Sequence, residues 1–288
     1  MIDPLDARHL GPEAVRRELR RHLLVADKRF SQNFLADGEV LEAIMAAAAV
    51  TPGRHVLEIG PGIGILTGAL LAAGASLTAV EVDRTMVRYL GRRFAAEIGD
   101  GRLRLVQGDV LDLLMGDLVT APWDLVANLP YHITSPVLHR VLGTEPRPEH
   151  LVLMLQREVA ERVAAAPGAM SYLSVFVQYH ASVHVARLVP ASAFEPAPEV
   201  ESAVLAGQTR DRHLDPRAEE QLWRLVQAGF RERRKMLHNV LPRQLPNLGR
   251  ERITAALEAT GIATDRRPQT LSVGDWLSLA AALGSLDR

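Results

Sequence analysis

Between His55 and Gln156 short, β-rich apolar runs alternate with longer stretches of helical spacing, and nothing else in the chain restricts the fold as tightly. HVLEIG (55–60), SLTAVEV (76–82), LRLVQGD (103–109), WDLVANL (123–129) and HLVLML (150–155) are rich in Val, Leu and Ile and bounded by Gly, Pro, Asp or Asn. Between them, Leu66/Leu70/Leu71 and Met86/Val87/Leu90/Phe94 recur at helical intervals. Parallel strands need a crossover, usually a helix, so the alternation predicts repeated βαβ units and an α/β, mostly parallel sheet. After Ala166 the pattern changes: VQYHASVHVARLV (177–189) and VESAVLAGQ (200–208) read as longer half-buried strands joined by the Pro-rich ASAFEPAPE, capping the sheet with an antiparallel pair. From Asp215 onward AEEQLWRLVQAGF and RITAALEAT read as helices, punctuated by LPRQLPN. These shifts divide the chain into an extension over 1–27, an α/β domain over 28–208 and a small helical domain over 209–288.

The 288 residues are 48% hydrophobic with a formal net charge of −1, a composition with ample material for a core and unlike a disordered chain. Zero cysteines exclude a disulfide scaffold, a thiolate nucleophile and any Cys-ligated metal. The longest apolar run, Ile44 to Val50, is far short of the roughly 20 residues that span a bilayer, and the charged N-terminus lacks the apolar stretch of a signal peptide. A cytoplasmic protein with no membrane partner is the expectation, and nothing suggests more than a monomer. The near-neutral total hides an asymmetry: residues 206–288 carry 14 Lys/Arg against 10 Asp/Glu, and the remainder 19 against 24. A basic C-terminal part fits a polyanion-binding surface, although an arginine-rich composition throughout explains it as well.

LEIGPGIG (57–64) falls where the first strand of the alternation turns into its helix. Gly60, Gly62 and Gly64 permit a sharp bend and close approach of a ligand to the backbone. Twenty-one residues past Gly60, Glu81 ends the second strand, where a carboxylate can accept hydrogen bonds from both ribose hydroxyls of an adenosine cofactor. Glu58, two residues before Gly60, reads as a charge inside the turn that would repel a pyrophosphate and welcome a cationic amino-acid tail. That favours S-adenosylmethionine over a dinucleotide. Asp109, in QGDV after the third strand, is suitably placed for an adenine amino group.

NLPY (128–131) closes the fourth strand and therefore faces the same crevice as Gly60 and Glu81. An aromatic amine is a poor nucleophile because its lone pair is delocalised into the ring. The side-chain oxygen of Asn128 and the carbonyl of Leu129 offer two acceptors for its hydrogens. Pro130 stiffens the turn and Tyr131 supplies a face for stacking a base. Two such acceptors favour a pyramidal nitrogen whose lone pair points at a sulfonium methyl, so catalysis is mainly positioning and electrostatics. Alone, NLPY also reads as an ordinary strand-ending turn.

With these residues in place, the chain from Lys28 to Leu283 resembles the KsgA/RsmA family of small-subunit rRNA adenine dimethyltransferases. The resemblance rests on RFSQNFL (29–35), LEIGPGIGILT, VEVD, GDVL, NLPYHITSP, MLQREVAERVAA (154–165), PASAFEPAPEVESAV (190–204), FRERRKMLHNVL (230–241) and RPQTLSVGDWLSLA (267–280), in order. It implies a Rossmann-like class I S-adenosylmethionine-dependent methyltransferase sheet with a C-terminal all-helical domain. The implied reaction is dimethylation of two adjacent adenines in the 3′-terminal hairpin loop of 16S rRNA, within the small ribosomal subunit or its precursor, during late assembly. Carried over by position, Asn33, Leu35, Gly60, Gly62, Glu81, Asp109 and Asn128 bind the cofactor. Asn128, Leu129, Pro130 and Tyr131 hold the amine, and Phe194 sandwiches the base opposite Tyr131. Ser31 stands where glycine is commoner, His132 follows NLPY, and Glu199 occupies an often basic position. Two other readings compete: a large-subunit rRNA adenine methyltransferase of the antibiotic-resistance type, and a non-catalytic assembly factor that kept the fold.

ERRK (232–235), with Arg224 and Arg231, is a basic cluster on an expected helix; it reads as a solvated face or, as the resemblance implies, as rRNA contacts from Arg231, Arg233, Arg234 and Lys235. His180 and His184, four apart, would share one face of a strand, but no third ligand accompanies them, so no metal site is expected. Trp123 and Trp276 are assigned to the core.

Overall fold

A computed structural model describes residues 5–27, 32–211 and 214–286. The chain forms two compact units, residues 1–160 with 183–209 and residues 161–182 with 210–288.

The first unit is built on a seven-stranded sheet of β2 (His55–Ile59), β3 (Ser76–Glu81), β4 (Leu103–Gln107), β5 (Trp123–Asn128), β6 (His150–Gln156), β7 (Ala181–Val189) and β9 (Ser202–Thr209), in the order β4-β3-β2-β5-β6-β9-β7. The five apolar runs of the alternation are its five parallel strands, and β9 joins β6 antiparallel with Leu153 opposite Leu205. A separate two-residue ribbon pairs β1 (Phe34–Leu35) antiparallel with β8 (Phe194–Glu195). Four helices matter for the site: α1 (Pro12–Arg21), α2 (Gly38–Ala48), α3 (Ile65–Ala72) and α4 (Arg84–Arg93). Asp37 and Asp83 start α2 and α4 by accepting the Val40 and Thr85 backbone N–H groups, which satisfies donors a helix start otherwise leaves open. The chain moves outward from β2 through β3 to β4, then returns to place β5 on the other side. That reversal opens a crevice beyond the carboxyl ends of β2 and β5.

Residues 5–27 are more than an extension. Leu5, Ala14, Val15 and Leu24 are buried in the core shared by α2, α3 and α4. Arg16 pairs with Glu195 of β8 at 3.3 Å, and the Ala7 carbonyl occupies the space a side chain at Gly38 would need.

The second unit encloses its own core. Leu222, Leu225, Val226, Leu237, Leu241, Ile253, Leu257, Trp276 and Leu279 come from the helices Pro216–Phe230, Leu237–Gln244, Arg250–Ala259 and Val273–Leu283. Met170, Val175 and Tyr179 belong to the same core, so this unit gathers residues 161–182 besides those beyond 209. The expected strand over 177–189 accordingly begins only at Ala181. The preceding Tyr172–His180 is a helix, started by a capping box in which the Ser171 and Ser174 side chains satisfy each other's backbone N–H. His180 therefore ends a helix, buried with Nε2 3.3 Å from Glu219 and its ring stacked on Trp223, whereas His184 is an exposed strand residue. Trp123 and Trp276 are both fully buried, as assigned. Among the described residues no helix is long and apolar enough to cross a membrane.

Candidate active site

The crevice is a cavity lined by the ends of four parallel strands and by the segment that leads into α2. Asn33, Leu35, Gly60, Gly62, Glu81, Asp109, Asn128, Leu129, Pro130 and Tyr131 all reach it. Ten of the eleven residues expected at the cofactor and amine sites thus converge. The exception is Phe194, which is 2% exposed in the core, and its backbone pairs with Leu35. It does not line the cavity. In a ribbon of two residues one side chain faces the core, and burial of the aromatic ring selects Phe194 for that side. The RFSQNFL residues before Gln32 lie outside the described residues.

The glycine turn has the geometry its sequence requires. Gly60 and Gly62 adopt φ of +70° and +59°, left-handed conformations that disfavour other residues, and a Cβ on Gly62 would stand 3.0 Å from the Phe34 ring. The Gly60 N–H donates to the Val80 carbonyl at 2.9 Å, tying the turn to β3. Glu81, at the end of β3, accepts the Gly62 N–H through Oε2 at 3.1 Å and the Asp83 N–H through Oε1 at 2.9 Å. Burial raises its carboxyl pKa, while these two donors act in the opposite direction. One carboxylate thus fixes the turn and the start of α4 together, with lone pairs remaining for a ligand in the cavity.

Glu58 differs from the expectation of a charge inside the turn. It lies within β2 rather than in the turn, is 1% exposed, and accepts a 2.7 Å hydrogen bond from the Thr67 hydroxyl. Burial pushes its carboxyl up to about 8, with the neighbouring Glu81 adding to the rise. At neutral pH Glu58 is therefore mostly protonated, and it does not repel a pyrophosphate as a fixed charge would. Its charge therefore does not select the cofactor, and Glu58 presents a neutral carboxyl on the cavity wall.

At the reacting end, the Asn128 amide nitrogen donates to the Asn33 carbonyl at 3.4 Å, which leaves its side-chain oxygen as the acceptor. Leu129 donates its N–H to Met154, so β6 holds this turn in register. The Tyr131 hydroxyl shares a 2.7 Å hydrogen bond with Ser202, a buried residue at the start of β9. Burial raises the Tyr131 pKa despite that bond, so its hydroxyl stays neutral near pH 7. Asp109 sits exposed at the rim, with Oδ1 accepting the Leu111 N–H at 2.9 Å.

Two contributors escaped the reading of the sequence. Ser202 was visible only as a lone hydroxyl opening an apolar strand. Gln32 lines the cavity and bridges Asp83, at 3.1 Å, and the Asp27 N–H, at 2.8 Å, yet nothing in SQNFL separates its role from that of Asn33.

In the second unit, Arg231, Arg233, Arg234 and Lys235 occupy the turn between two helices rather than a helix face, and all four are exposed. Glu232, the acid within the cluster, is taken by Arg243 at 2.9 Å. The cluster's four cations have no carboxylate within ion-pair distance among the described residues.

Known proteins resemble the chain over nearly its whole length. A family model described as ribosomal RNA adenine dimethylase matches residues 24–284. A ribosomal RNA small subunit methyltransferase A from Synechococcus sp. (strain RCC307) is 41% identical over 269 residues, covering 90% of this chain and 96% of that one. Its namesake from Anaeromyxobacter sp. (strain K) is 42% identical over 282 residues, covering 92% and 96%. Among solved structures, a dimethyladenosine transferase from Plasmodium falciparum superposes with a TM-score of 0.75 at 26% identity, covering 85% of this chain and 95% of that one. The 23S rRNA methyltransferase ErmE gives 0.70 at 28%, covering 87% and 99%. With both of its units spanned by the match, the chain belongs to the ribosomal RNA adenine dimethylase family.

Proposed function

We propose that this chain transfers methyl groups from S-adenosylmethionine to the 6-amino groups of two adjacent adenines in the 3′-terminal hairpin loop of 16S rRNA, two to each, late in small-subunit assembly. The observation that carries the reading is the convergence, on one cavity, of an adenosine-type carboxylate, Glu81, with the two amine acceptors at Asn128 and Leu129. When bound, the cofactor supplies an electrophilic methyl on a sulfonium. Gly60, Gly62 and Glu81 hold its adenosine part, Asp109 accepts from the adenine amino group at the rim, and Asn33 and Leu35 border its other end. The Asn128 oxygen and Leu129 carbonyl accept the two hydrogens of the target amine, which localises the lone pair on nitrogen. Tyr131, its hydroxyl tethered to Ser202, offers a ring for stacking the extruded base. As the nitrogen–carbon bond forms, the sulfur–methyl bond breaks and its electron pair returns to sulfur, which leaves as a neutral thioether; the nitrogen becomes cationic and acidic, so its proton passes to water without a dedicated strong base.

Small-subunit rRNA is favoured over large-subunit rRNA because relatives carrying the former name reach 41–42% identity, against 28% for ErmE. The exposed turn at 231–235 supports phosphate contacts by the second unit, which would position RNA without reading its sequence. A monomer acting in the cytoplasm completes the reading. Titration calorimetry with S-adenosylmethionine and, separately, with NAD tests the cofactor assignment. Heat on the first alone supports it; binding of neither favours a non-catalytic assembly factor, and binding of NAD alone contradicts it.

A further inference from the structure

Among the described residues none before Gln32 lines the cavity, yet α1 is wired to the loop that forms the cavity wall. Glu18 of α1 is buried, and its Oε1 accepts a 2.6 Å hydrogen bond from the Tyr89 hydroxyl of α4. His22 closes the pair, with Nε2 3.1 Å from the same carboxylate and its ring edge-on to Tyr89. One turn along α4, Arg93 donates to the Ile63 carbonyl at 2.6 Å and reaches the Tyr89 hydroxyl at 3.4 Å. Ile63 follows Gly62, whose N–H is held by Glu81. Leu90 of α4 and Phe94, the residue just after the helix, crowd Gly64, where a Cβ would stand 2.9 Å and 2.5 Å from them. On its other side α1 reaches β8 through Arg16 and Glu195, which pairs with Phe34 of the cavity. A continuous path therefore runs from α1 through Tyr89 and Arg93 to the glycine loop.

From this path we infer that Glu18, Tyr89 and Arg93 are positioning residues for the cofactor loop, and that α1 is a brace which sets cofactor affinity from outside the cavity. The inference rests on the cofactor reading above. If the loop were held only by Glu81, residues 61–64 would be free to shift their carbonyls, and the Gly62 N–H would meet Glu81 less often. Arg93 removes that freedom by fixing the Ile63 carbonyl, and the Tyr89–Glu18 contact fixes the helix that carries Arg93.

The test uses the full-length protein, with S-adenosylmethionine affinity by calorimetry and steady-state methylation of unmethylated small subunits. Glu18→Ala and Tyr89→Phe should each raise the cofactor Kd and KM roughly fivefold to tenfold, the scale of one buried hydrogen bond. At saturating cofactor, kcat and the KM for subunits should stay within about twofold. Glu18→Gln, which keeps an oxygen for the Tyr89 hydroxyl, should restore affinity to within about twofold of wild type, although its charge is gone. A merely structural role would lower the melting temperature and the active fraction without moving the Kd of the folded protein. Tyr89→Phe removes one oxygen and tests the path even if Glu18→Ala does not fold. Unchanged Kd in Tyr89→Phe, or equal loss in Glu18→Gln and Glu18→Ala, overturns the brace. Wild-type protein that fails to bind S-adenosylmethionine overturns the cofactor reading instead.

Discussion

Replacing Glu58 by Gln should shift the stability of the cofactor-free protein in favour of the variant as pH rises, by an amount that depends on pH in a defined way. In the native state the carboxyl is raised from 4.5 to about 8, because burial on β2 disfavours its charged form. Such a group binds its proton more tightly folded than unfolded. Its contribution is fully present below pH 4.5 and is lost as pH rises toward 8. Each pH unit in that window is worth about 1.4 kcal/mol, so the native state forfeits about 3 kcal/mol by pH 7. Gln keeps an oxygen for the Thr67 hydroxyl and has no proton to lose. Its extra amide hydrogens add an offset that is the same at every pH. Urea unfolding of both proteins at half-unit steps from pH 5 to 9 would give the difference in stability directly. The difference should grow in favour of Gln by about 1.4 kcal/mol per unit up to about pH 8 and level off above it. A difference that does not vary with pH would mean that Glu58 is ionised in the native protein at its ordinary value, and the reasoning from burial would be wrong.

Other perturbations separate the parts of the site. Glu81→Ala removes the carboxylate that holds the Gly62 and Asp83 N–H groups and should weaken S-adenosylmethionine binding by about 1.5–3 kcal/mol in calorimetry; an unchanged Kd would remove Glu81 from the cofactor site. Asn128→Ala should abolish most turnover while sparing cofactor affinity more than Glu81→Ala does, and wild-type turnover would mean the amine is held elsewhere. Ser202→Ala and Tyr131→Phe break the same 2.7 Å hydrogen bond. Their effects on kcat/KM for subunits should not add in the double variant, and additive losses would refute the tether. Replacing Arg233, Arg234 and Lys235 together by Ala should weaken subunit binding and reduce its log–log salt slope by about 2–3, whereas an unaltered slope would leave the turn a solvated surface.

Much of this site was legible because strand ends in a parallel sheet are written in residue types. Apolar runs stop at Gly60, Glu81, Gly108 and Asn128, and the topology brings those stops to one edge. What depended on tertiary packing was not legible. Residues 177–180 fit either period, and the choice fell to a Ser171/Ser174 cap and to a core that needed Val175 and Tyr179. The charge on Glu58 could be read, but not its burial, which decides whether the charge exists. Phe194 shows the reverse case, an aromatic whose place in a motif implied a ligand while its surroundings made it core. Residues 5–27 gave no sign of function because their polar contacts, Glu18 to Tyr89 and Arg16 to Glu195, join positions more than 70 residues apart.

Methyl transfer from labelled S-adenosylmethionine to small subunits lacking the modification, followed by mass spectrometry of rRNA fragments, addresses the proposed reaction itself. Large subunits and free rRNA run in parallel as competing substrates. Dimethyladenine is expected at two adjacent positions of the 3′-terminal hairpin loop in small subunits, with no label in large ones. Label confined to a large-subunit adenine, or none in any RNA from a protein that binds the cofactor, would contradict it.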